Sequence, residues 1–235
     1  MTLNRFIHQE ILISILKDIF ANGSLAPLVG FKGGTAAMLF YGLDRFSVDL
    51  DFDLLQENED FVCIQMQRLL ESYGSLKHEK KRFCLFFLLS YTGKLEKDQN
   101  IKVEINRRSF GSRYEVKLFM GIPMKVMVQE DMAAHKLVAM YERLAKTNRD
   151  MYDVWYFFKH RWPINKQIVE ERTGMSYRDF LKKCIESLEK MSDRSILSGL
   201  GELLTPKQKV WVKANLRNET IFLLSLAYRT EQESS

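Results

Sequence analysis

The sequence predicts an α/β (α+β) fold: a mixed sheet carrying helices, followed by a region of helices alone. Three observations lead there. Residues 48–54, VDLDFDL, alternate between apolar and acidic side chains, the period-two signature of a half-buried strand. Strand-like runs recur over residues 82–91, 101–107, 114–119 and 123–128, with turns such as Thr92-Gly93 and Phe110-Gly111 between them. From Gln129 onward the apolar positions recur only at helical spacing. The change of pattern divides the chain into an α/β core over residues 1–128 and a helical domain packed on that core over residues 129–235.

The first element is a helix over residues 4–21, with Phe6, Ile7, Ile11, Leu12, Ile15, Leu16, Ile19 and Phe20 at helical spacing and Asn22-Gly23 as its stop. Its acids and the lack of a cleavage site set it apart from a signal peptide. A strand then rises through Leu28 to Phe31 and ends at Gly33-Gly34, where glycine lets the backbone turn tightly. The next residues, AAMLFY, read as a short helix, so this turn presents bare amides and a helix N-terminus to a phosphate. Thr35 adds a hydroxyl there.

On the strand that follows, Asp49 and Asp51 project from one face, about 7 Å apart at Cα. Both carboxylates can therefore reach one Mg²⁺ site or a pair of ions, which prefer such oxygen ligands. Asp53 falls behind that pair. Residues 57–73 read as a helix closed by Gly74. The strand at 101–107 turns Ile101, Val103 and Ile105 to one side and Lys102, Glu104 and Asn106 to the other. Glu104, the lone acid on that face, suits an ion pair with Lys102 or Arg107.

In the helical region, residues 130–145 place Lys136, Met140 and Arg143 on one broad face. Arg149-Asp150-x-x-Asp153 opens the next helix, over residues 150–160, and a helical hairpin brings these charges together. Asp150 also suits a helix cap, and Asp153 suits an ion pair with Arg149 or Arg143. Further helices follow Pro163 and cover residues 177–191, 194–203 and 206–228, the last opened by Thr205-Pro206.

Composition excludes disorder and fibres: of 235 residues, 46% are hydrophobic and 28% charged. Lys and Arg number 35 against 30 acids, a net charge of +5 that is compatible with a polyanionic partner and equally with many enzymes. Cys63, Cys84 and Cys184 lack zinc or disulfide spacing and are expected as core thiols in a reducing cytoplasm. His8, His78, His135 and His160 show no metal spacing either. The longest apolar run, FCLFFLLSY, is too short to cross a bilayer. A soluble cytoplasmic protein with no membrane partner is the expectation.

Taken together, Gly33-Gly34-Thr35-Ala36, Tyr41-Gly42-Leu43, Arg45-Phe46-Ser47 and Asp49-x-Asp51-Phe52 resemble the first motif of the DNA polymerase β-like nucleotidyltransferases. More narrowly they resemble the AbiEii/AbiGii toxin family, which includes the MenT toxins. Lys136-Leu137-x-Ala139 with a downstream arginine, then Arg149-Asp150-x-x-Asp153, resembles a later signature of the same family. The resemblance covers most of the first 160 residues. It implies a nucleotidyltransferase that uses Mg²⁺, with Mn²⁺ as a substitute, to pass a nucleotide from an NTP to an acceptor hydroxyl with release of pyrophosphate. Asp49 and Asp51, joined by Glu104, are implied as metal ligands. Gly33, Gly34, Thr35, Arg45, Ser47 and Lys136 are implied to hold the nucleotide, with Asp150 or Asp153 as an essential acid.

The implied acceptor is the 3′ end of tRNA, whose extension blocks aminoacylation, and the implied partner is a cognate antitoxin. Lys182, Lys183, Lys207, Lys209, Lys213 and Arg217 are available to follow an RNA backbone. The alternatives are transfer to a small molecule such as an antibiotic, transfer to a protein hydroxyl, or a non-catalytic nucleotide-binding module.

Overall fold

The computed structural model describes residues 4–91, 100–144 and 146–233; the expected turn at Thr92-Gly93 and the expected helix end at Ala145 lie outside them. The chain divides into two compact units. The first comprises Met1–Gly42, Ser47–Ser109 and Arg113–Val128, and the second comprises Leu43–Phe46, Phe110–Ser112 and Gln129–Ser235. Two short excursions, Leu43–Phe46 and Phe110–Ser112, thus cluster with the helical residues, which no single cut in the sequence captures.

The first unit holds strands β1 (Val29–Lys32), β2 (Leu50–Leu54), β3 (Ser75–Lys80), β4 (Cys84–Ser90), β5 (Asn100–Asn106), β6 (Tyr114–Phe119) and β7 (Ile122–Met127). They form one seven-stranded mixed sheet in the order β3-β4-β5-β2-β1-β7-β6. At its centre β2 runs parallel to β5 and antiparallel to β1, while β1 runs parallel to β7. Helices α1 (Arg5–Ala21), α2 (Gly33–Tyr41) and α3 (Glu59–Glu71) complete the unit.

Alternation on the central strands decides which side becomes core. Phe31, Leu50, Phe52, Ile101, Val103 and Ile105 are all closed to solvent. The Phe31 and Phe52 rings lie 5.3 Å apart, with Phe20 of α1 at 6.3 Å from Phe52 and Phe40 of α2 at 6.3 Å from Phe31. Burying each such ring is worth roughly 2 kcal/mol. The other face of β2 and β5 is left to Asp51, Lys102 and Glu104.

Two details of this unit depart from the sequence reading. β2 starts at Leu50 and not at Val48, because side chains take the two preceding carbonyls: His8 Nε2 donates to Val48 O at 3.0 Å, and the Thr35 hydroxyl donates to Asp49 O. β3 was not expected at all. Its sequence SLKHEK is almost wholly exposed, so no apolar alternation marks it; full antiparallel pairing with β4 makes it a strand.

The second unit contains α4 (Gln129–Glu142), α5 (Arg149–Lys159), α6 (Lys166–Thr173), α7 (Tyr177–Glu189) and α8 (Pro206–Glu233). Asn165 and Ser176 cap α6 and α7 by accepting from Ile168 N and Asp179 N. Phe157 of α5 stacks on Trp162 at 4.0 Å, and Trp155 meets Trp211 of α8 at 4.3 Å. The expected helix over residues 194–203 is instead two short 3₁₀ turns, Asp193–Ser195 and Gly201–Leu203. Gly199 lies between them at φ +65°, and the Thr147 side chain fills the space its Cβ would need. A left-handed residue there stops an α-helix. Among the described residues, no helix is long and apolar enough to cross a membrane.

Candidate active site

The polar face of the sheet gathers three carboxylates. Asp51 and Glu104 are direct neighbours in the β2/β5 ladder, and Asp49 immediately precedes β2. Between them stands Lys102, two residues before Glu104 on the same face of β5. Its ammonium lies 3.6 Å from Asp49 Oδ2, 3.6 Å from Asp51 Oδ1 and 3.5 Å from Glu104 Oε2. From sequence, Lys102 was considered only as an ion-pair partner of Glu104; the alternation of IKVEIN already placed it on the acidic face.

The glycine turn reaches the same carboxylates. Gly33 has φ +81°, and a Cβ built on it would lie 2.6 Å from Asp51 Oδ2. Only glycine allows this backbone to approach Asp51 so closely. Gly33 also opens α2, and Lys32 at the N-cap position contributes no side-chain cap hydrogen bond. The first amides of α2 are therefore left without a side-chain acceptor, which favours an anion there.

Thr35 and Ser47, expected to face phosphates, are buried and turned inward. Their hydroxyl oxygens are 2.9 Å apart. Because the Asp49 carbonyl can only accept, it takes the single Thr35 proton, and Ser47 donates in turn to Thr35. Both hydroxyls thus hold the backbone of Asp49 in place. His8 holds the preceding residue: its ring N–H points at Val48 O, and its Nδ1 accepts from the Tyr91 hydroxyl at 3.1 Å. Burial lowers the His8 pKa, against the opposing pull of Val48 O and Asp49, which keeps that arrangement neutral.

Asp53, the third acid of the alternating run, is fully engaged elsewhere. Its Oδ1 accepts from Lys32 Nζ and, at 2.9 Å, from Asn106 Nδ2, and its Oδ2 accepts from the Tyr114 hydroxyl. The Tyr114 ring lies over Gly30 in space that a Cβ would occupy. Asp53 is a structural tie between β1, β2, β5 and β6.

The helical unit has its own charged constellation. The expected hairpin of α4 and α5 brings Lys136 Nζ to 2.7 Å from Asp150 Oδ1 and 2.7 Å from Asp153 Oδ2. The arginine that partners Asp153 is neither Arg149 nor Arg143 but Arg45. Arg45 Nε and Nη2 donate to the two oxygens of Asp153 at 2.5 and 2.7 Å. This bidentate pair is almost sealed from water, with side-chain exposures of 2% and 0%. Arg143 Nη1 stands 3.2 Å from Asp150 Oδ2, a charge contact without hydrogen-bond alignment. Burial pushes the Asp150 carboxyl up, but Lys136 and Arg143 outweigh it and hold the pKa at about 2. Asp153 is lowered as well: burial opposes ionisation, and Arg45 and Lys136 overcome it. Arg45 and Lys136, expected on the nucleotide, are here neutralised by acids.

The donor set on the sheet suits a hard divalent cation. Asp49, Asp51 and Glu104 offer only oxygen, and the Lys102 ammonium stands in as a positive charge among them. Among the described residues, no three His, Cys, Asp or Glu side chains are already in metal-binding geometry. Mg²⁺ does not need three, since it binds through one or two carboxylates, substrate phosphates and waters.

Comparison with known proteins identifies the family. Residues 14–196 match the family described as nucleotidyl transferase AbiEii toxin, type IV toxin–antitoxin system. Two solved structures from Helicobacter pylori share the fold at 21% identity. The protein JHP933 has a TM-score of 0.67 and covers 100% of this chain and 96% of its own. A second, described provisionally as a nucleotidyltransferase, has a TM-score of 0.69 and covers 100% and 99%. No curated protein matches the chain. The family match spans residues 14–196, well over half of the sequence: this chain belongs to the AbiEii nucleotidyltransferase toxins of type IV toxin–antitoxin systems.

Proposed function

We propose that this enzyme transfers a nucleotide from an NTP to the 3′ end of tRNA, with Mg²⁺ held by Asp49 and Asp51 and flanked by Glu104. The observation that carries the metal assignment is the convergence of these three carboxylates on one ammonium at 3.5–3.6 Å. A bound Mg²⁺, or Mn²⁺ in its place, supplies charge neutralisation at the phosphates and a more acidic acceptor hydroxyl. The chain's own groups do the rest. The amides that open α2 at Gly33 and Gly34 receive phosphate oxygens. Thr35, Ser47 and His8 fix the Asp49 backbone so that its carboxylate need not reorganise.

Lys136 is assigned to the triphosphate from its family motif. Its ammonium would exchange a carboxylate of Asp150 or Asp153 for a phosphate, and these acids keep it oriented. Arg45, sealed against Asp153, supports the position of Asp153.

The tRNA acceptor rests on the family resemblance. Exposed Lys182, Lys183, Lys207 and Lys213 are free to meet a phosphate backbone. Arg217 is committed, with Nε and Nη2 on Asp193 at 2.7 and 2.9 Å. A cognate antitoxin is the expected protein partner, and the cytoplasm the expected compartment.

The test is incubation with total tRNA, Mg²⁺ and each labelled NTP in turn, beside Asp51→Asn and Lys136→Ala. Label in tRNA from the wild type and not from Asp51→Asn supports the reading. Pyrophosphate release with no labelled tRNA moves the acceptor to a small molecule or a protein hydroxyl. NTP binding with no pyrophosphate from any acceptor leaves a nucleotide-binding module.

A further inference from the structure

The end of the sheet where β3 turns into β4 carries cations seated on aromatic rings. Residues 77–82, KHEKKR, hold four lysines and arginines against one acid, and the whole stretch is exposed together with Phe83. Lys80 and Arg107 are committed to Glu59 of α3. Three further cations sit differently. Arg82 and Arg108 place their guanidinium carbons 4.9 Å from the centre of the Phe83 ring, and Lys81 Nζ stands 3.6 Å from the centre of the Phe86 ring. Lys81 also has Glu79 Oε2 at 3.8 Å, and Arg108 Nε lies 3.4 Å from Asn106 Oδ1. The Phe83 side chain, 44% exposed, is large and apolar at the surface.

The backbone explains the grouping. Lys81 N donates to Cys84 O, which closes the turn, and Arg107 N donates to Phe83 O at 2.9 Å, which brings the following residue, Arg108, beside Phe83. The acids lie close by in the same unit. Phe86 is the ladder neighbour of Glu104, and Glu104 that of Asp51, so half-buried Phe86 stands on the polar face one strand, about 5 Å, from Glu104. Phe83 lies farther along the chain by about 10 Å, a distance that about three stacked nucleotides span.

We propose that Lys81, Arg82, Phe83, Phe86 and Arg108 form the track for the single-stranded 3′ end of the acceptor RNA. This rests on the tRNA reading above and gives that RNA a path to the acids. Ring and cation together suit a nucleotide: its base stacks on aromatic and guanidinium groups, and its phosphate pairs with the charge. A duplex hides the faces of its bases, whereas a single strand can splay them onto the rings. A strand lying along this track delivers its terminal hydroxyl beside Glu104 and Asp51.

The experiment measures binding of 5′-fluorescein-labelled total tRNA, intact or with its single-stranded 3′ end removed by nuclease, to the full-length protein without NTP or metal. The wild type should bind intact tRNA at least about tenfold more tightly than trimmed tRNA near 0.1 M salt. Phe83→Ala and the double variant Lys81→Gln/Arg82→Gln should each lose most of that preference and bind trimmed tRNA as the wild type does. The double variant should also flatten the slope of log Kd against log salt by about 1.4, at about 0.7 for each single-strand phosphate. Phe83→Ala keeps every charge and should leave that slope unchanged. A purely structural role predicts a lowered melting temperature and equal loss on both RNAs.

A preference for intact tRNA that is the same in the wild type and both variants overturns the track and leaves the tRNA reading standing. Equal wild-type affinity for intact and trimmed tRNA overturns the track as well, and if the transfer assay above also labels no tRNA, the acceptor reading falls with it. If Phe83→Ala does not fold, Phe83→Leu, which keeps the bulk and removes the ring, is held to the same outcomes.

Discussion

The backbone of Gly33 lies against the carboxylate of Asp51 so closely that a methyl group on Gly33 would stand 2.6 Å from Oδ2. The turn and the acid are therefore shaped to each other across the β1/β2 pairing, in which Lys32 stands opposite Asp51.

Gly33→Ala tests that fit. The substitution meets an unfavourable φ of +81° and a collision with Asp51, which together cost about 2 kcal/mol. Chemical denaturation should register that loss, and nucleotide transfer should fall at least about tenfold as Asp51 is pushed aside. A variant with wild-type stability and wild-type transfer would show that the turn relaxes freely.

Asp51 and Asp53 look alike in the alternating run and should behave differently. Asp53→Asn disturbs the bonds from Lys32, Asn106 and Tyr114, costing about 1 kcal/mol and sparing pyrophosphate release to within about tenfold. Asp51→Asn should leave stability nearly intact while lowering pyrophosphate release at least about a hundredfold. Equal losses of activity in the two variants would count against the distinction.

Arg45 and Asp153 form a sealed ion pair, and breaking one side leaves a buried charge. Asp153→Ala should destabilise the protein by about 3 kcal/mol. Because Arg45 then has lost its main partner, Arg45→Met in the Asp153→Ala background should cost far less than Arg45→Met alone. The double-mutant cycle, read by denaturant midpoint, fails the idea if the two losses simply add.

Acid should weaken the α4/α5 hairpin. Asp150 is held at about 2 against its ordinary 3.8, so folding favours the ionised form. That stabilisation, about 2 kcal/mol, is complete above about pH 4 and disappears as the pH falls towards 2. The stability gap between the wild type and Asp150→Asn should be widest near neutrality and narrow through that window; thermal melts showing a constant gap from pH 7 to pH 2.5 would refute it.

What the sequence revealed, and what it hid, follows from distance along the chain. Alternation in VDLDFDL and IKVEIN exposed the acidic face, because a strand sorts its side chains residue by residue. The meeting of Lys136 with Asp150 and Asp153 was equally visible, since one hairpin joins them. The Arg45–Asp153 pair was not: the two residues are 108 positions apart, and Arg149 and Arg143 stood nearer in sequence. β3 stayed hidden because its strand character comes from β4 alone. Thr35 and Ser47 were recognised as a motif, but their link to the Asp49 carbonyl was not visible, because that carbonyl lies 14 positions beyond Thr35.

The parallel pairing of β2 with β5 has a consequence for how the enzyme comes into being. Asp51 and Glu104 are ladder neighbours drawn from strands about fifty residues apart, with α3, β3 and β4 between them. A ribosome that has released only the first three elements beyond β1 has made both aspartates and neither Glu104 nor Lys102. Long-range parallel pairing closes late, because the loop entropy must be met before the contacts form. The acidic cluster is thus a product of completed folding, and a nascent or locally unravelled copy of this toxin carries its aspartates without the neighbours that make them a site.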